Sequence, residues 1–266
     1  MNAEFRRQWL RRRTRIGLGT MLGLPLLIAV ILELVGAPGG DGGQVFLPDL
    51  ATGSGVNFAL FTLFVVSQLL LVIIVALFCG DTVASEASWG SLRYLLVRPV
   101  ARGRLLRVKL AVGASYGLVA AALLVVSSIV CGWLFFGTGG LTTPLGAFLG
   151  SGESLRIYGL TAAYVVTQLG AVGALAFMIS TMTDAPLGAV GGAVLIIIVS
   201  SVLDAITSLG VLRYGLPTHY GSAWFGLLSS PQQTADMVSG IVVQVPWTIV
   251  PILIGARFFA RKDILS

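Results

Sequence analysis

Residues 108–136 read VKLAVGASYGLVAAALLVVSSIVCGWLFF, and the only charged side chain among them is Lys109. A helix rises about 1.5 Å per residue, so about 20 apolar residues cross the roughly 30 Å hydrocarbon core of a bilayer. This run is long enough to cross. It therefore predicts a transmembrane helix, and with it a membrane protein.

Five further apolar runs flank this one. The six predicted spans cover residues 16–35, 57–79, 108–136, 157–182, 187–203 and 238–259. The composition agrees, because 56% of the 266 residues are apolar and 11% are charged, whereas a soluble domain carries about a quarter charged residues. The predicted fold is all-α: an N-terminal amphipathic helix over residues 1–15, then a six-helix transmembrane domain over residues 16–266.

The basic residues indicate how the chain is oriented. Of the 17 Lys and Arg residues, all but Arg156 and Arg213 lie before the first span, between the second span and the start of the third, or at and after the end of the sixth. Basic residues concentrate in cytoplasmic loops, so both termini are predicted to be cytoplasmic. This distribution is not that of a nucleic-acid-binding face. The preference for Arg over Lys, with abundant Ala and Gly, suggests a bacterium and hence its plasma membrane.

The sequence shows no catalytic or cofactor-binding motif. It has no phosphate-binding loop of the G-x-x-x-x-G-K-[ST] type, and its single histidine, His219, has no metal ligands at a suitable spacing. Serines in residues 150–154 and 219–222 lack the context of a hydrolase nucleophile, and we expect flexible outer loops there. No enzyme activity, metal or cofactor of the chain's own is expected.

The ionisable residues of the spans are predicted near helix ends. Glu33 and Asp204 fall towards the outer side and Asp81 towards the inner edge, whereas mid-span polar groups are neutral. These neutral groups are Gln68, Gln168 and Gln244, for which interhelical hydrogen bonds are favoured over a substrate site. An ion-coupled carrier needs ionisable groups near mid-membrane, so the pattern argues against one.

The loop after the second span, residues 80–104, reads GDTVASEASWGSLRYLLVRPVARGR. Gly90 interrupts the preceding segment, Ser91 is a helix-capping residue and Pro99 ends the short helix between them. Apolar side chains crowd within this helix while Arg93 and Arg98 project as charges. Such a helix at the inner membrane face is suited to docking into a groove of a cytosolic partner.

This loop resembles the cytoplasmic loop of ATP-binding-cassette type-2 permeases, as do the six spans and the basic N-terminal helix. The matching positions are Glu86, Gly90-Ser91-Leu92, Leu95-Leu96, Arg98-Pro99-Val100, Arg102 and Lys109. Ser91 stands where the family usually has threonine, and Val108 stands where a glycine commonly precedes the lysine. These departures bear on individual contacts.

The resemblance implies a permease subunit of an exporter that pairs with a second copy or a paralogue. Two copies of a cytosolic ATPase would bind ATP and magnesium and drive the dimer. Residues 91–97 would form the coupling helix, with Glu86 and the basic turn near it. The N-terminal helix, with Phe5, Trp9, Arg12 and Arg13, would be a second connector.

Three other interpretations stay open. The chain is alternatively a membrane anchor or sensor that docks a cytosolic partner without transporting anything. An ion-coupled carrier is less favoured because of the missing mid-membrane charges. An intramembrane enzyme is least favoured, since no paired catalytic groups share a depth.

Overall fold

The computed structural model describes residues 2–36, 47–88, 102–144 and 146–261, and most of them are in helices. In chain order the α-helices are α1 (Asn2–Leu10), α2 (Arg12–Val35), α3 (Leu47–Leu50), α4 (Gly55–Gln68), α5 (Leu70–Ser88), α6 (Arg102–Phe136), α7 (Ser151–Met182), α8 (Pro186–Ala205) and α9 (Ala235–Arg261). A two-stranded antiparallel ribbon, β1 (Leu141–Thr142) and β2 (Phe148–Leu149), lies between α6 and α7. Two 3-10 helices, Thr207–Gly215 and Ala223–Leu228, lie between α8 and α9.

The predicted all-α, multi-pass architecture is confirmed. Five helices (α2, α6, α7, α8 and α9) are long and apolar enough to cross a membrane by themselves. The pair α4 and α5 reaches that standard together, which gives up to six spans. The chain is therefore a membrane protein with several transmembrane helices.

The second predicted span, residues 57–79, differs from the structure because it is not one straight helix. Leu69 takes a non-helical backbone conformation (φ −137°, ψ −52°), so α4 ends at Gln68 and α5 starts at Leu70. The two halves are bent by 52° relative to each other. The bend lets α4 pack mainly on α6, while α5 packs among α6, α7 and α8.

The other spans are found where predicted, with longer ends. Helix α6 begins at Arg102 instead of residue 108, and its 35 residues give a length of about 52 Å. That exceeds the bilayer core, so the arginine-rich first turns of α6 extend beyond the apolar part. Helix α7 begins at Ser151 instead of residue 157, and α9 runs from Ala235 to Arg261 instead of over residues 238–259.

Two glycine contacts let helices approach closely around α6. A Cβ added at Gly113 would lie 3.0 Å from the carbonyl oxygen of Phe78, so α5 and α6 touch through their backbones there. A Cβ added at Gly132 would overlap the carbonyl oxygen of Gly55 at the start of α4. Close helix packing through small residues is usual in membranes, where lipid supplies no hydrophobic drive for helix association.

Candidate functional site at the arginine-rich end

Helix α1, the last turns of α5 and the first turns of α6 meet at one end of the bundle, here called the arginine-rich end. Arg11 is extended (φ −70°, ψ 129°) and separates α1 from α2. The resulting turn lays α1 against α6, where the Phe5 and Tyr116 rings lie 5.9 Å apart. The Tyr116 hydroxyl also donates a 2.8 Å hydrogen bond to the backbone carbonyl of Phe5. The first helix is thus fixed to the bundle by both ring packing and a hydrogen bond.

Two apolar side chains of the predicted amphipathic helix have different surroundings. Phe5 is half-buried against the core, and Trp9 is exposed on the surface of the protein. The N-terminal helix ends at Leu10 instead of residue 15, since the extended Arg11 interrupts it. Arg12 and Arg13 consequently belong to the first turn of the spanning helix α2, and Arg12 is exposed.

Asp81 of α5 is buried and binds two arginines from the α1–α2 turn. Arg13 reaches one carboxylate oxygen at 2.6 Å, and Arg11 forms a close ion pair with the other. Arg11 also donates a 3.2 Å hydrogen bond to the hydroxyl of Ser85, one turn further along α5. Charge-assisted hydrogen bonds of this kind are the stronger ones in proteins, so they attach the start of α2 firmly to α5.

Glu86 of α5 is the second buried carboxylate, and it connects α1 to α6. Its side chain is 1% exposed and lies 2.7 Å from Arg7 of α1 and 2.6 Å from the Lys109 ammonium of α6. Lys109, itself 3% exposed, donates a further 3.0 Å hydrogen bond to the backbone carbonyl of Thr82. One carboxylate therefore joins three helices.

These six side chains form a connected group that we call the ion-pair cluster: Arg7, Arg11, Arg13, Asp81, Glu86 and Lys109. Burying a charge is costly unless it is paired, and removing one partner of a buried pair costs about 3–5 kcal/mol. Four cations here surround two carboxylates. The cluster thus fixes the relative positions of α1, α2, α5 and α6 and leaves an excess of positive charge.

The structure places part of the predicted coupling site in this cluster. Glu86 is at its centre, and Arg102 begins α6. The remaining predicted positions lie outside the described residues; they are Gly90, Ser91, Leu92, Arg93, Leu95, Leu96, Arg98 and Pro99. The loop that holds them, residues 89–101, joins the end of α5 to the start of α6. Its two attachment points are therefore the two helices that Glu86 and Lys109 connect.

Most of the ion-pair cluster is missing from the sequence-based expectations. The sequence places Asp81 at the inner edge of a span without indicating a partner, and Arg7 and Arg11 contribute only to the positive charge before the first span. A usable signal was present: two acidic residues end an apolar helix, where an unpaired buried charge is costly. Cations from neighbouring segments were to be expected as their partners.

The predicted interhelical hydrogen bonds of the mid-span glutamines are found for two of the three. The Gln244 amide of α9 donates to the Gln168 side chain of α7 and, at 2.8 Å, to the backbone carbonyl of Pro217. Gln68 ends α4 at the bend and is exposed.

At the opposite end, His219 has an acidic neighbour that its position in the sequence did not reveal. Its Nδ1 lies 2.5 Å from a carboxylate oxygen of Asp204, which also accepts from Arg213 at 3.4 Å. The rings of Tyr214 and Tyr220 pack edge-on against the imidazole. The group joins the end of α8 to the segment that follows it. Within the described ranges, no three His, Cys, Asp or Glu side chains are placed to hold a metal ion.

The expectation of a flexible loop over residues 150–154 is wrong. Ser151 begins α7, and Ser154 is buried. The Ser154 hydroxyl accepts a 2.8 Å hydrogen bond from the backbone nitrogen of Leu141 and donates to the carbonyl of Gly150. This serine therefore has a structural role, fixing the β-ribbon to the start of α7.

Comparison with known proteins adds a family. A family model described as "Protein of unknown function (DUF2705)" matches residues 27–265. The chain belongs to this family. The match includes Asp81, Glu86 and Lys109 but begins after Arg7, Arg11 and Arg13.

A relative in Bacillus subtilis (strain 168), the uncharacterized protein YhcI, is 38% identical over 60 residues. That stretch is 23% of this chain and 19% of the relative, so the match spans about a fifth of the relative's length.

Proposed function

We propose that this chain is the permease subunit of an ATP-binding-cassette exporter in a bacterial plasma membrane. It pairs with a second copy or a paralogue and is driven by two cytosolic ATPase subunits, which bind ATP and magnesium. The chain has no catalytic site of its own in this proposal. The arginine-rich end, with both termini, faces the cytoplasm, in agreement with the concentration of cations there.

The ion-pair cluster is the observation that carries the proposal. Transport of a cargo needs energy from the ATPase subunits. In this proposal they act on the bundle through the loop at residues 89–101. The two helices attached to this loop, α5 and α6, are joined by the buried pair of Glu86 and Lys109 at 2.6 Å, and the partly exposed Arg7 of α1 contacts the same carboxylate at 2.7 Å. A push on the loop would therefore move α5, α6 and α1 together, because separating them exposes or unpairs buried charges.

The two attached helices respond differently beyond the cluster. Helix α6 is continuous over 35 residues, so it would transmit movement from the cytoplasmic side to the outer side. The other helix, α5, begins just after the bend at Leu69, where α4 ends at an angle of 52° to it. Breaks in spanning helices let one part of a bundle move against another. The bend is thus suited to act as the hinge between inward-facing and outward-facing states.

The test is purification of the tagged chain in a mild detergent, with identification and stoichiometry of the proteins that accompany it. We expect an ATPase at one copy per permease. Leu96→Asp should abolish this association because it puts a charge into an apolar docking face. The matched control is Leu212→Asp, the same change at a highly exposed leucine of the opposite end. A preparation free of ATPase, or equal recovery with Leu96→Asp, would contradict the proposal.

A membrane anchor that docks a cytosolic partner without transport is the second candidate. The rigid cytoplasmic end that the ion-pair cluster forms also suits static docking, whereas the bend at Leu69 has no role in an anchor. Association alone does not separate the two functions. Stimulation of ATP hydrolysis by a cargo in reconstituted vesicles does: a permease complex shows it and an anchor does not.

A further inference from the structure

A partly open cavity lies beneath the segment that connects α8 to α9. Its lining is mainly apolar but includes five polar side chains, after which we call it the polar cavity. Its volume is about 110 Å³. The bend between α4 and α5 forms one wall, α7 and α8 form two others, and residues 217–221 cover it. Its polar lining comes from Ser67, Gln68, Gln168, Ser201 and Thr218.

Gln68 is the feature of this cavity that needs an explanation. It ends α4 at the bend, its side chain is exposed, and among the described residues its amide has no hydrogen-bond partner. Gln68 lies about 20 Å from the start of α4 along the helix axis, in the middle part of the bent pair of helices α4 and α5 that together are long enough to span a membrane. Lipid tails offer such a group no hydrogen bond, and leaving it unmade is costly. A partner from outside the described chain would remove that cost.

Ser201 lies on the α8 side of the cavity. Its hydroxyl donates at 3.1 Å to a backbone carbonyl of its own helix, so its oxygen remains as an acceptor. Thr218 is held at 2.7 Å from Ser200, which fixes the polar cover of the cavity. Together with the Gln68 amide, which has both donors and an acceptor, the cavity therefore presents both kinds of hydrogen-bonding group.

The lining residues also indicate that the polar part of the ligand carries no charge. None of the described residues that line the cavity is Asp, Glu, Lys, Arg or His. A charged ligand group would be desolvated there without a counter-ion, which is strongly unfavourable. The cavity thus selects an uncharged group that carries both hydroxyl donors and acceptor oxygens.

An apolar cleft continues from the cavity between the α4–α5 bend and α8. Its volume is about 420 Å³, and it shares Gln68, Val72, Ile197 and Ser201 with the polar cavity. Elsewhere the cleft is lined mainly by aliphatic side chains, among them Leu69, Val194 and Val202. A ligand that enters both would have an apolar chain attached to its polar part.

We infer that the polar cavity and the adjoining cleft bind an amphiphile with an uncharged, hydroxyl-bearing headgroup and a hydrocarbon tail. The headgroup bonds Gln68 and Ser201, and the tail lies along α8. Binding itself does not depend on an ATPase; that the amphiphile is the exported cargo rests on the proposed function.

A photoreactive monoacylglycerol tests this directly. Its glycerol head is uncharged and bears two hydroxyls, and a diazirine near the head records its position. The full-length chain in phosphatidylcholine nanodiscs should be labelled saturably, with cross-links on α4, α5 or α8 at the cavity. Glycerol monooleate should compete, whereas the anionic oleate and the hydroxyl-free methyl oleate should not.

Two variants decide whether the polar lining is responsible. Gln68→Leu should weaken apparent affinity roughly tenfold, the effect of losing about one good hydrogen bond, and Ser201→Ala should weaken it several-fold. The control is Ser115→Ala on α6: like Ser201, Ser115 donates to a backbone carbonyl of its own helix, but it does not line the cavity, so its loss should change nothing. Size-exclusion profiles establish folding; if Gln68→Leu does not fold, Ser201→Ala decides.

Three results overturn the inference. They are non-saturable labelling, which would leave water as the cavity's content; competition by oleate equal to that of glycerol monooleate; and unchanged labelling of the folded variants. None of these depends on the ATPase, so they leave the proposed function standing. Conversely, absence of an ATPase partner would refute the permease function and leave this binding result intact.

Discussion

Replacing Glu86 by glutamine tests the ion-pair cluster most sharply, because the side chain keeps its shape and loses only its charge. In the native protein this carboxylate contacts Lys109 at 2.6 Å and Arg7 at 2.7 Å. After Glu86→Gln, the Lys109 ammonium, 3% exposed, keeps only the Thr82 carbonyl among the partners described above. A buried cation is then left without its counter-ion.

The size of the loss follows from the burial of the two pairs. Removing one partner of a buried pair costs about 3–5 kcal/mol. The Arg7 side chain is 43% exposed, so its pair adds at most about 1 kcal/mol. We therefore expect Glu86→Gln to lower the free energy of unfolding by about 3–5 kcal/mol. Adding Lys109→Met should recover a large part of this loss, since it removes the stranded charge.

The assay is unfolding of the purified protein in mixed micelles by titration with sodium dodecyl sulfate, followed by tryptophan fluorescence. Glu153→Gln is the matched control: Glu153 pairs with Arg156 at 2.9 Å on the surface, with side chains 39% and 60% exposed. That variant should lose no more than about 1 kcal/mol. Equal losses for Glu86→Gln and Glu153→Gln, or no recovery with Lys109→Met, would refute the reasoning.

Three further substitutions have expected outcomes. Gly132→Ala should lower the free energy of unfolding by about 1–3 kcal/mol, because the added methyl group would overlap the backbone of Gly55. Its control is Gly19→Ala, where the added methyl group meets nothing within 4 Å, and this variant should lose no stability in the same titration. His219→Ala removes the 2.5 Å contact with Asp204 and should raise hydrogen exchange of residues 207–228 by roughly tenfold, equivalent to about 1.4 kcal/mol; unchanged exchange would show that this contact does not hold the segment. Phe5→Ala removes the ring contact with Tyr116 and should make α1 more susceptible to proteolysis than Trp9→Ala, an exposed aromatic of the same helix.

The number and class of the spans could be predicted because they depend on local sequence. A run such as residues 108–136 is apolar over its whole length, and nothing in its surroundings changes what it does in lipid. The bend at Leu69 could not be predicted in this way. Neither proline nor glycine occurs there, and the conformation depends on how α4 and α5 pack against different neighbours. Helix starts were also misplaced, since polar first turns such as those of α6 and α7 resemble loops.

The candidate site was predictable only where one residue belongs to a local pattern. Glu86 is predicted from its place ahead of the loop, but its partners are not. Arg7 of α1 lies 79 residues before it in the sequence, and Lys109 of α6 lies 23 residues after it. The pair of His219 and Asp204 likewise joins residues separated by the turn after α8. Ion pairs between elements depend on the angles at which helices pack, and a single sequence does not contain those angles.

The distribution of charge along the bundle bears on the source of energy. The described ion pairs lie towards the two ends: Asp81, Glu86 and Lys109 at the arginine-rich end, Asp204 and His219 at the other. Between them, the polar side chains that line the polar cavity are neutral amides and hydroxyls. A carrier driven by protons or cations needs a group at that level whose charge changes during the cycle. An amide such as that of Gln68 does not titrate, so it can bind an uncharged ligand but cannot couple its movement to an ion. The energy for transport would then have to come from a partner protein that acts on one end of the bundle. The ion-pair cluster suits that role, because its ion pairs hold α1, α2, α5 and α6 together at the arginine-rich end.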